Sequence, residues 1–267
     1  MIKYCKRCFY PSNHALGLLI NNEGLCSGCE IHEEKDFIDW DKRWKELIEL
    51  TSGYINTTNN NYDCIIPVSG GKDSYFIVDI IVNKLKLKPL LVTYNSQYMT
   101  PVAYRNISNL KIKFGVDLIQ KTVDPRVVKK ITKATFSKYA SIYWHVIAGE
   151  TAFPVQISVQ LKIPLIIWGA HQGLDQVGMY SHNDYVEMSR KYRKDHDLFG
   201  IEAEDLVSED LCISDTDITP FKYPSDNEIE KVGVRGIYLN NYIRWDSRSQ
   251  HEYVFSKFNY EGAEQNR

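Results

Sequence analysis

The chain has 267 residues, a length that allows one sizeable hydrophobic core and a small appended module. Hydrophobic residues make up 43% and charged residues 25% of the sequence, which is typical of a globular protein. Its 32 lysines and arginines against 34 aspartates and glutamates do not favour a predominantly electrostatic grip on nucleic acid. No apolar run of about eighteen residues predicts a membrane span. Because the N-terminus also lacks the apolar stretch of a signal peptide, we expect a cytoplasmic protein with reduced thiols.

Two Cys-x-x-Cys pairs, Cys5 with Cys8 and Cys26 with Cys29, are separated by seventeen residues. This spacing is typical of a tetrahedral zinc site, and four thiolates would fill the coordination sphere of a structural Zn²⁺. Free cysteines, redox-active dithiols and an iron-sulfur cluster remain alternatives. Cys64 lies in a predicted buried strand, where it is expected to be a small core residue.

The sequence after the cysteines predicts a helix and then a boundary. Residues 36–50 place aromatic and aliphatic side chains at helical spacing. Residues 51–61 are rich in Thr, Asn and Gly, which is typical of a linker. We therefore expect a zinc-ribbon module at 1–35, a connecting helix and linker at 36–60, and the main domain at 61–267.

Segments that predict strands and helices alternate from residue 63 onward. Near-continuous apolar strands between helices indicate a doubly wound α/β domain, in which a parallel sheet is covered on both faces. Ligands of such sheets bind beyond the carboxyl ends of the strands. The predicted strands cover 63–68, 89–94, 117–122 and 164–168, and the predicted helices cover 74–85, 102–114 and stretches between 125 and 161.

The first of these strands runs directly into the loop Ser69-Gly70-Gly71-Lys72-Asp73-Ser74. Glycines allow the backbone to approach an anion, and the amides of the following helical turn point towards it. Lys72 adds a positive charge, Asp73 could hold Mg²⁺, and Ser74 offers a hydroxyl. The pattern predicts a nucleotide phosphate site that differs from the Walker loop by its adjacent glycines. A tight turn with a capping side chain is the simpler alternative.

Two further strand ends carry candidate ligands. Gly169 opens a loop after the strand at 164–168, and Gln172 and Asp175 within that loop could bind substrate or Mg²⁺. A lone His171 or Asp175 in a turn is, however, more often a capping or solvated residue. Thr93 and Asn95, at the end of the second strand, are candidates for contacts to adenosine, although both could simply form a turn.

A charged stretch at 187–196 offers two more candidates. Arg190 and Arg193 could bind the phosphates of a second substrate, although such stretches are commonly solvated helix faces.

The loop Ser69–Ser74 resembles that of the PP-loop ATP pyrophosphatases, a group with a HUP-like fold that cleaves ATP between its α and β phosphates. Three later motifs follow the cysteines and this loop. Together they make nearly the whole chain similar to the N-acetyl sugar amidotransferases, which serve lipopolysaccharide O-antigen, other surface-polysaccharide or flagellar-glycan biosynthesis. The later motifs are Ile167-Trp168-Gly169, Arg190-Lys191-Tyr192-Arg193-Lys194-Asp195-His196-Asp197 and Tyr242-Ile243-Arg244-Trp245-Asp246.

The resemblance implies that the acetamido oxygen of a nucleotide-linked sugar attacks the α phosphate of ATP. Ammonia then displaces AMP to give an acetamidino group. Lys72 and Asp73 would carry the catalytic charge stabilisation, with Asp73 and Asp175 on Mg²⁺. The ATP-binding residues would be Ser69, Gly70, Gly71, Lys72, Asp73, Ser74, Thr93 and Gly169.

The family also implies partners. Ammonia would come from a separate glutaminase, because the sequence contains no recognisable glutaminase domain, and no membrane partner is expected.

Two alternative functions stay open. Several tRNA-modifying PP-loop enzymes also carry an N-terminal zinc module, although the balanced charge makes nucleic acid a disfavoured partner. Family members extend beyond the position of Arg267, which leaves a non-catalytic ATP-binding scaffold as the second alternative.

Overall fold

The computed structural model describes residues 2–14, 17–56 and 61–262. Five parallel strands form one sheet in the order β3-β2-β1-β4-β5. The expected doubly wound α/β fold is therefore confirmed. The strands are β1 Cys64–Pro67, β2 Pro89–Tyr94, β3 Leu118–Lys121, β4 Leu165–Trp168 and β5 Arg235–Tyr238.

Helices cover both faces of the sheet. They are α1 Ser27–Glu34, α2 Trp40–Ser52, α3 Lys72–Asp79, α4 Pro101–Phe114, α5 Pro125–Tyr139, α6 Trp144–Leu161, α7 Gln172–Asp175, α8 Arg190–Tyr192, α9 Asp215–Ile218, α10 Asp226–Val232 and α11 Ser247–Phe258. A π-helical turn continues α3 over Ile80–Lys84, another continues α8 over Arg193–Asp197, and short 3₁₀ turns occupy His182–Asp184, Ala203–Leu206, Thr219–Phe221 and Leu239–Asn241.

Two hydrophobic cores lie on opposite faces of the sheet because successive strand residues point to opposite sides. Ile65 of β1 belongs to the core that contains helices α5 and α6. Its neighbours Cys64 and Ile66 belong to the other core, together with side chains of α3, α4 and α11. Cys64 is fully buried, as expected for a core residue, and burial raises the pKa of its thiol.

The connecting helix α2 begins later than the apolar pattern predicts. Asp39 caps it by accepting a hydrogen bond from the backbone amide of Lys42 at 2.9 Å, a contact that defines the first turn. Residues 57–60 of the predicted linker and 263–267 of the predicted main domain lie outside the described residues. Within the described part of the chain, no helix is both long and apolar enough to cross a membrane.

Candidate functional site

The strand order reverses between β1 and β4, which lie side by side in the centre of the sheet. The crossovers from β1 and from β4 leave in opposite directions there, so a crevice opens beyond their carboxyl ends. The loop Ser69–Ser74 follows β1, and Gly169 follows β4. The topology thus brings two of the loops that the sequence singles out to one edge of the sheet.

Gly70 adopts a backbone conformation that favours glycine, with a φ of 78°. A Cβ atom at this position would lie 2.7 Å from the carbonyl oxygen of Ala103 and 2.8 Å from Cγ1 of Ile107. Both helix packing and backbone torsion therefore require a glycine. The backbone amide of Ser69 donates to Oγ of Ser74 at 3.0 Å, which holds the loop closed upon itself.

Helix α3 begins at Lys72 without a side-chain cap. The Ser74 amide donates to the Gly71 carbonyl at 3.1 Å, and the Lys72 amide faces the Tyr260 hydroxyl, so an anion at this helix N-terminus would compete with these two contacts. The Lys72 ammonium lies 2.5 Å from Oδ1 of Asp73, and Asp73 is half-exposed. A bound phosphate or Mg²⁺ would therefore compete with this ion pair for the two side chains.

A cavity of about 210 Å³ lies beside this loop; we call it the loop cavity. Val92 and Tyr94 line it, whereas Thr93 between them is buried and does not. Strand alternation turns Thr93 to the opposite face of the sheet. The loop cavity is lined by Pro67, Val68, Ser69, Asp73, Ser74, Ile77, Val92, Tyr94, Glu150, Pro154 and Trp168.

Asn95 takes part in local hydrogen bonds at the end of β2. Its Oδ1 accepts from the backbone amide of Gln97 at 2.9 Å and from the Tyr104 hydroxyl at 3.0 Å. Its amide nitrogen donates to Oγ1 of Thr122. These bonds correspond to the turn alternative, and neither Asn95 nor Thr93 is brought to the loop cavity.

A second cavity of about 160 Å³ adjoins the first; we call it the aromatic cavity. The two cavities share Glu150 and Trp168, so these side chains mark the boundary between them. The aromatic cavity is lined by Ile147, Glu150, Thr151, Trp168, Ala170, His171, Gln172, Met188, Ser189, Tyr192, Arg193, Asp197, Tyr223 and Tyr238.

Glu150 projects from α6 into the boundary. Its side chain is accessible within the cleft, yet the surrounding protein reduces its hydration and raises its pKa to about 7. Among the described residues, no hydrogen bond or ion pair of its carboxylate is found. Pro154, four residues later on the same helix, has no N–H to donate to the Glu150 carbonyl.

The predicted phosphate ligand Arg193 is held by protein groups. Its guanidinium is buried, donates to Oε2 of Glu202 at 2.6 Å and to Oγ1 of Thr151 at 2.8 Å, and lies over the ring of Tyr223. Arg190 lies 3.8 Å from Glu202 and 3.4 Å from Asp226. Because both arginines face carboxylates, a phosphate would have to displace Glu202 or Asp226 to reach them.

Asp175 and Gln172 lie on the short helix α7 but have different surroundings. Gln172 lines the aromatic cavity. Asp175 lines neither cavity and lies 2.5 Å from the ammonium of Lys35, which is almost completely buried. The structure thus gives Asp175 a partner from the cysteine-containing module and does not bring it to Asp73. Gly169 packs against Ile77 and Trp245.

The four cysteines of the N-terminal module come together as the sequence predicts. Their sulfur atoms all lie within 4.8 Å of one another. Cys5 and Cys29 sulfurs are 3.8 Å apart, and those of Cys8 and Cys26 are 3.5 Å apart. A tetrahedral ion with Zn–S bonds of about 2.3 Å needs sulfurs separated by roughly 3.8 Å. The arrangement of the four sulfurs therefore fits a single Zn²⁺ ion.

The sequence analysis does not identify Glu150, which lies between the two cavities, or Tyr94, which lines the loop cavity. Glu150 lies in the middle of a long apolar helix pattern, and a lone carboxylate there was the one available signal. Tyr94 packs its ring against Gly149, where a Cβ would lie 2.6 Å from the ring.

No family model matches the chain. An uncharacterized protein of Methanocaldococcus jannaschii is 32% identical over 117 residues, which are 43% of this chain and 41% of that protein. The match therefore spans about two fifths of the length of this relative.

Three solved structures are similar at low identity. An NH3-dependent NAD synthetase of Campylobacter jejuni has 13% identity and a TM-score of 0.41, covering 73% of this chain and 95% of its own. An NMN synthetase of Francisella tularensis has 11% identity and a TM-score of 0.39, and the match covers 86% of this chain and 99% of the synthetase. A U34-tRNA thiolase of Methanococcus maripaludis with a [4Fe-4S] cluster has 14% identity and a TM-score of 0.33, and the match covers 87% of this chain and 72% of the thiolase.

Proposed function

We propose that the protein is an ATP-dependent, AMP-forming amidotransferase that converts the acetamido group of a nucleotide-linked N-acetyl sugar into an acetamidino group. One observation carries this proposal: a glycine-rich anion loop at the switch point of the sheet opens into one cavity, and a second cavity adjoins it across Glu150 and Trp168. Two adjoining cavities suit a reaction between ATP and an acceptor.

ATP lies with its phosphates on the loop Ser69–Ser74. Backbone amides of the loop and the first turn of α3 bind phosphate oxygens, and Lys72 turns from Asp73 to the leaving pyrophosphate. The hydroxyls of Ser69 and Ser74 are further donors. Asp73, which lines the loop cavity, is a hard oxygen ligand available to Mg²⁺, and this ion would neutralise charge on the phosphates.

The first chemical step forms a bond between the acetamido oxygen and the α phosphorus. The bond from that phosphorus to the bridging oxygen breaks, and pyrophosphate leaves with the electron pair. The protein needs no nucleophile of its own for this step, because positioning and charge stabilisation lower the barrier. The acceptor becomes an adenylated imidate that keeps its N–H proton and carries a positive charge.

Ammonia then adds to the imidate carbon, and AMP leaves with the former acetamido oxygen. The added nitrogen must lose one proton during this exchange. Glu150 stands at the boundary of the two cavities and has no described partner for its carboxylate, so it is placed to accept that proton. A separate glutaminase would supply the ammonia in the cell.

The test is an incubation with ATP, Mg²⁺, ammonium and a panel of UDP-linked acetamido sugars, followed by nucleotide and mass analysis. We expect AMP together with a sugar in which NH replaces an oxygen. The variant Lys72→Met should lose at least about tenfold in turnover, whereas Lys84→Met, which removes an exposed lysine on the π-helical turn after α3, should match the unmodified protein. Formation of ADP would rule out cleavage between the α and β phosphates.

A further inference from the structure

The inner wall of the aromatic cavity contains polar groups without partners. His171 is 1% exposed, and neither of its ring nitrogens has a hydrogen-bond partner. The indole nitrogen of Trp168 is likewise buried and unpaired. The Tyr192 hydroxyl, close to the backbone amide of Gly173, also lacks a partner of normal geometry. Buried groups of this kind normally find partners, so their presence beside a cavity indicates a ligand that supplies them.

Aromatic rings surround these groups. The His171 ring centroid lies 4.3 Å from that of Tyr192 and 4.6 Å from that of Tyr238. Trp168 stacks on Tyr238 at 6.4 Å, and Tyr223 closes another side. Rigid aromatic faces with a few convergent polar atoms are typical of sites for small organic ligands.

The charges around the cavity disfavour an anionic ligand. The cation Arg193 is neutralised by Glu202, and burial lowers the pKa of His171 to about 4, so its imidazole is neutral. A neutral imidazole offers one donor and one acceptor. The remaining ionisable side chains that face the cavity are the tyrosines and the carboxyl groups of Glu150 and Asp197, and burial raises the pKa of Asp197 to about 6.

We propose that the aromatic cavity is the acceptor site and binds an uncharged ring that carries hydroxyl and amide groups, held by His171, Tyr192 and Trp168. A sugar ring has this chemistry: its hydroxyls can pair with polar atoms of these side chains, and its apolar face can lie on the aromatic rings. The charged diphosphate of a nucleotide-linked sugar then remains outside the cavity, because Arg193 is already paired.

This arrangement places the reacting group at the boundary between the cavities. An acetamido substituent that leaves the ring towards Glu150 and Trp168 would face the loop cavity, where the α phosphate is expected. The inference rests on the proposed function for the identity of the reacting group. The binding of an uncharged ring can be tested without any reaction.

The experiment measures binding of UDP-N-acetylglucosamine to the full chain by calorimetry, with free N-acetylglucosamine, glucuronate and uridine as competitors. Tyr192→Phe removes one hydroxyl, and His171→Phe removes both ring nitrogens. Tyr180→Phe is the matched control, because Tyr180 contacts both rings but does not line the cavity. Binding of α,β-methylene ATP and thermal unfolding are measured for every variant.

We expect about threefold to tenfold weaker sugar binding for Tyr192→Phe and a larger loss for His171→Phe, as deletion of one or two hydrogen bonds implies. Tyr180→Phe and all affinities for the ATP analogue should stay within about twofold. N-acetylglucosamine should compete and glucuronate should not.

Equal sugar affinity in all three variants, or competition by glucuronate or uridine but not by the neutral sugar, would overturn the inference. If the cavity variants lose sugar binding while the unmodified protein makes no AMP, the proposed reaction fails and the acceptor site stands. If AMP and an amidinated sugar form while the cavity variants keep full sugar affinity, the acceptor site fails alone.

Discussion

Two features of the structure require a glycine at position 70: its backbone torsion and its close packing on α4. Its left-handed backbone would cost about 1–2 kcal/mol for a side chain, and the close approach of Ala103 and Ile107 adds an overpacking cost of about 1–3 kcal/mol. We expect Gly70→Ala to lower the free energy of unfolding by the sum of these effects and to weaken ATP binding, as measured by denaturant titration and calorimetry.

The matched control for this variant is Gly233→Ala. Gly233 also has a positive φ, of 71°, but nothing lies within 4 Å of its added Cβ. It should show the backbone cost alone and unchanged ATP affinity. Equal destabilisation of the two variants would contradict the close packing of the phosphate loop on α4.

The proposed role of Glu150 as a proton acceptor predicts how turnover depends on pH. As a proton acceptor it must be ionised, and its pKa of about 7 means that turnover rises as the pH rises through 7. The assay must hold the concentration of free NH3 constant, because ammonia itself titrates. Glu150→Gln should abolish this rising limb and lower turnover by about 100-fold.

The control for Glu150 is the exposed Glu252 on α11, whose Gln variant should keep the full profile. Glu150→Gln should still bind ATP and the sugar. A rising limb that persists in Glu150→Gln would assign the titration to another group and remove Glu150 from the proposed chemistry.

At the scale of elements, the cysteine-containing module packs against the segment that follows β4 and forms hydrogen bonds with it. Ser27 donates to the carbonyl of Val177 at 2.7 Å, and a Cβ on Gly28 would lie 2.3 Å from the carbonyl of Gln176. Lys35 reaches Asp175 of α7 and the carbonyl of Trp245. Since His171 and Gln172 belong to the same loop, the module supports one wall of the aromatic cavity.

Lys35→Met tests this support. It leaves the carboxylate of Asp175 without its partner, and because Asp175 is partly exposed we expect about 1–3 kcal/mol lower stability, less than for a fully buried pair. Acceptor affinity should fall more than ATP affinity. Lys42→Met, on the exposed face of α2, is the control, and an equal loss of both affinities in Lys35→Met would contradict the supporting role.

The success of sequence reasoning also differs between elements. Strand β2 was predicted at its observed bounds, because six successive buried residues form an unbroken apolar run. Strand β5 was not predicted: Arg235 and Gly236 interrupt its apolar pattern, and the strand forms through pairing with β4. Thr93 was expected to contact adenosine but does not line the loop cavity. The sequence places the end of the strand, whereas the face of the sheet to which each side chain points depends on the strand register.

At the scale of the whole molecule, the candidate site joins segments that are distant in sequence. The loop Ser69–Ser74 could be recognised from its pattern alone, because its glycines and helix start are local features. The aromatic cavity could not, because Glu150, His171, Tyr192 and Tyr238 meet only after the sheet and its crossovers have formed. Local chemistry is visible in the sequence, whereas the apposition of two cavities is a tertiary property.

The central claim is that the acceptor oxygen attacks the α phosphate of ATP. The most direct measurement uses UDP-N-acetylglucosamine with ¹⁸O in its acetamido group, together with ATP, Mg²⁺ and ammonium, and determines the isotope content of the nucleotide product. We predict that AMP carries one ¹⁸O atom and pyrophosphate none. Unlabelled AMP formed by hydrolysis, or ADP as the product, would contradict the proposed reaction.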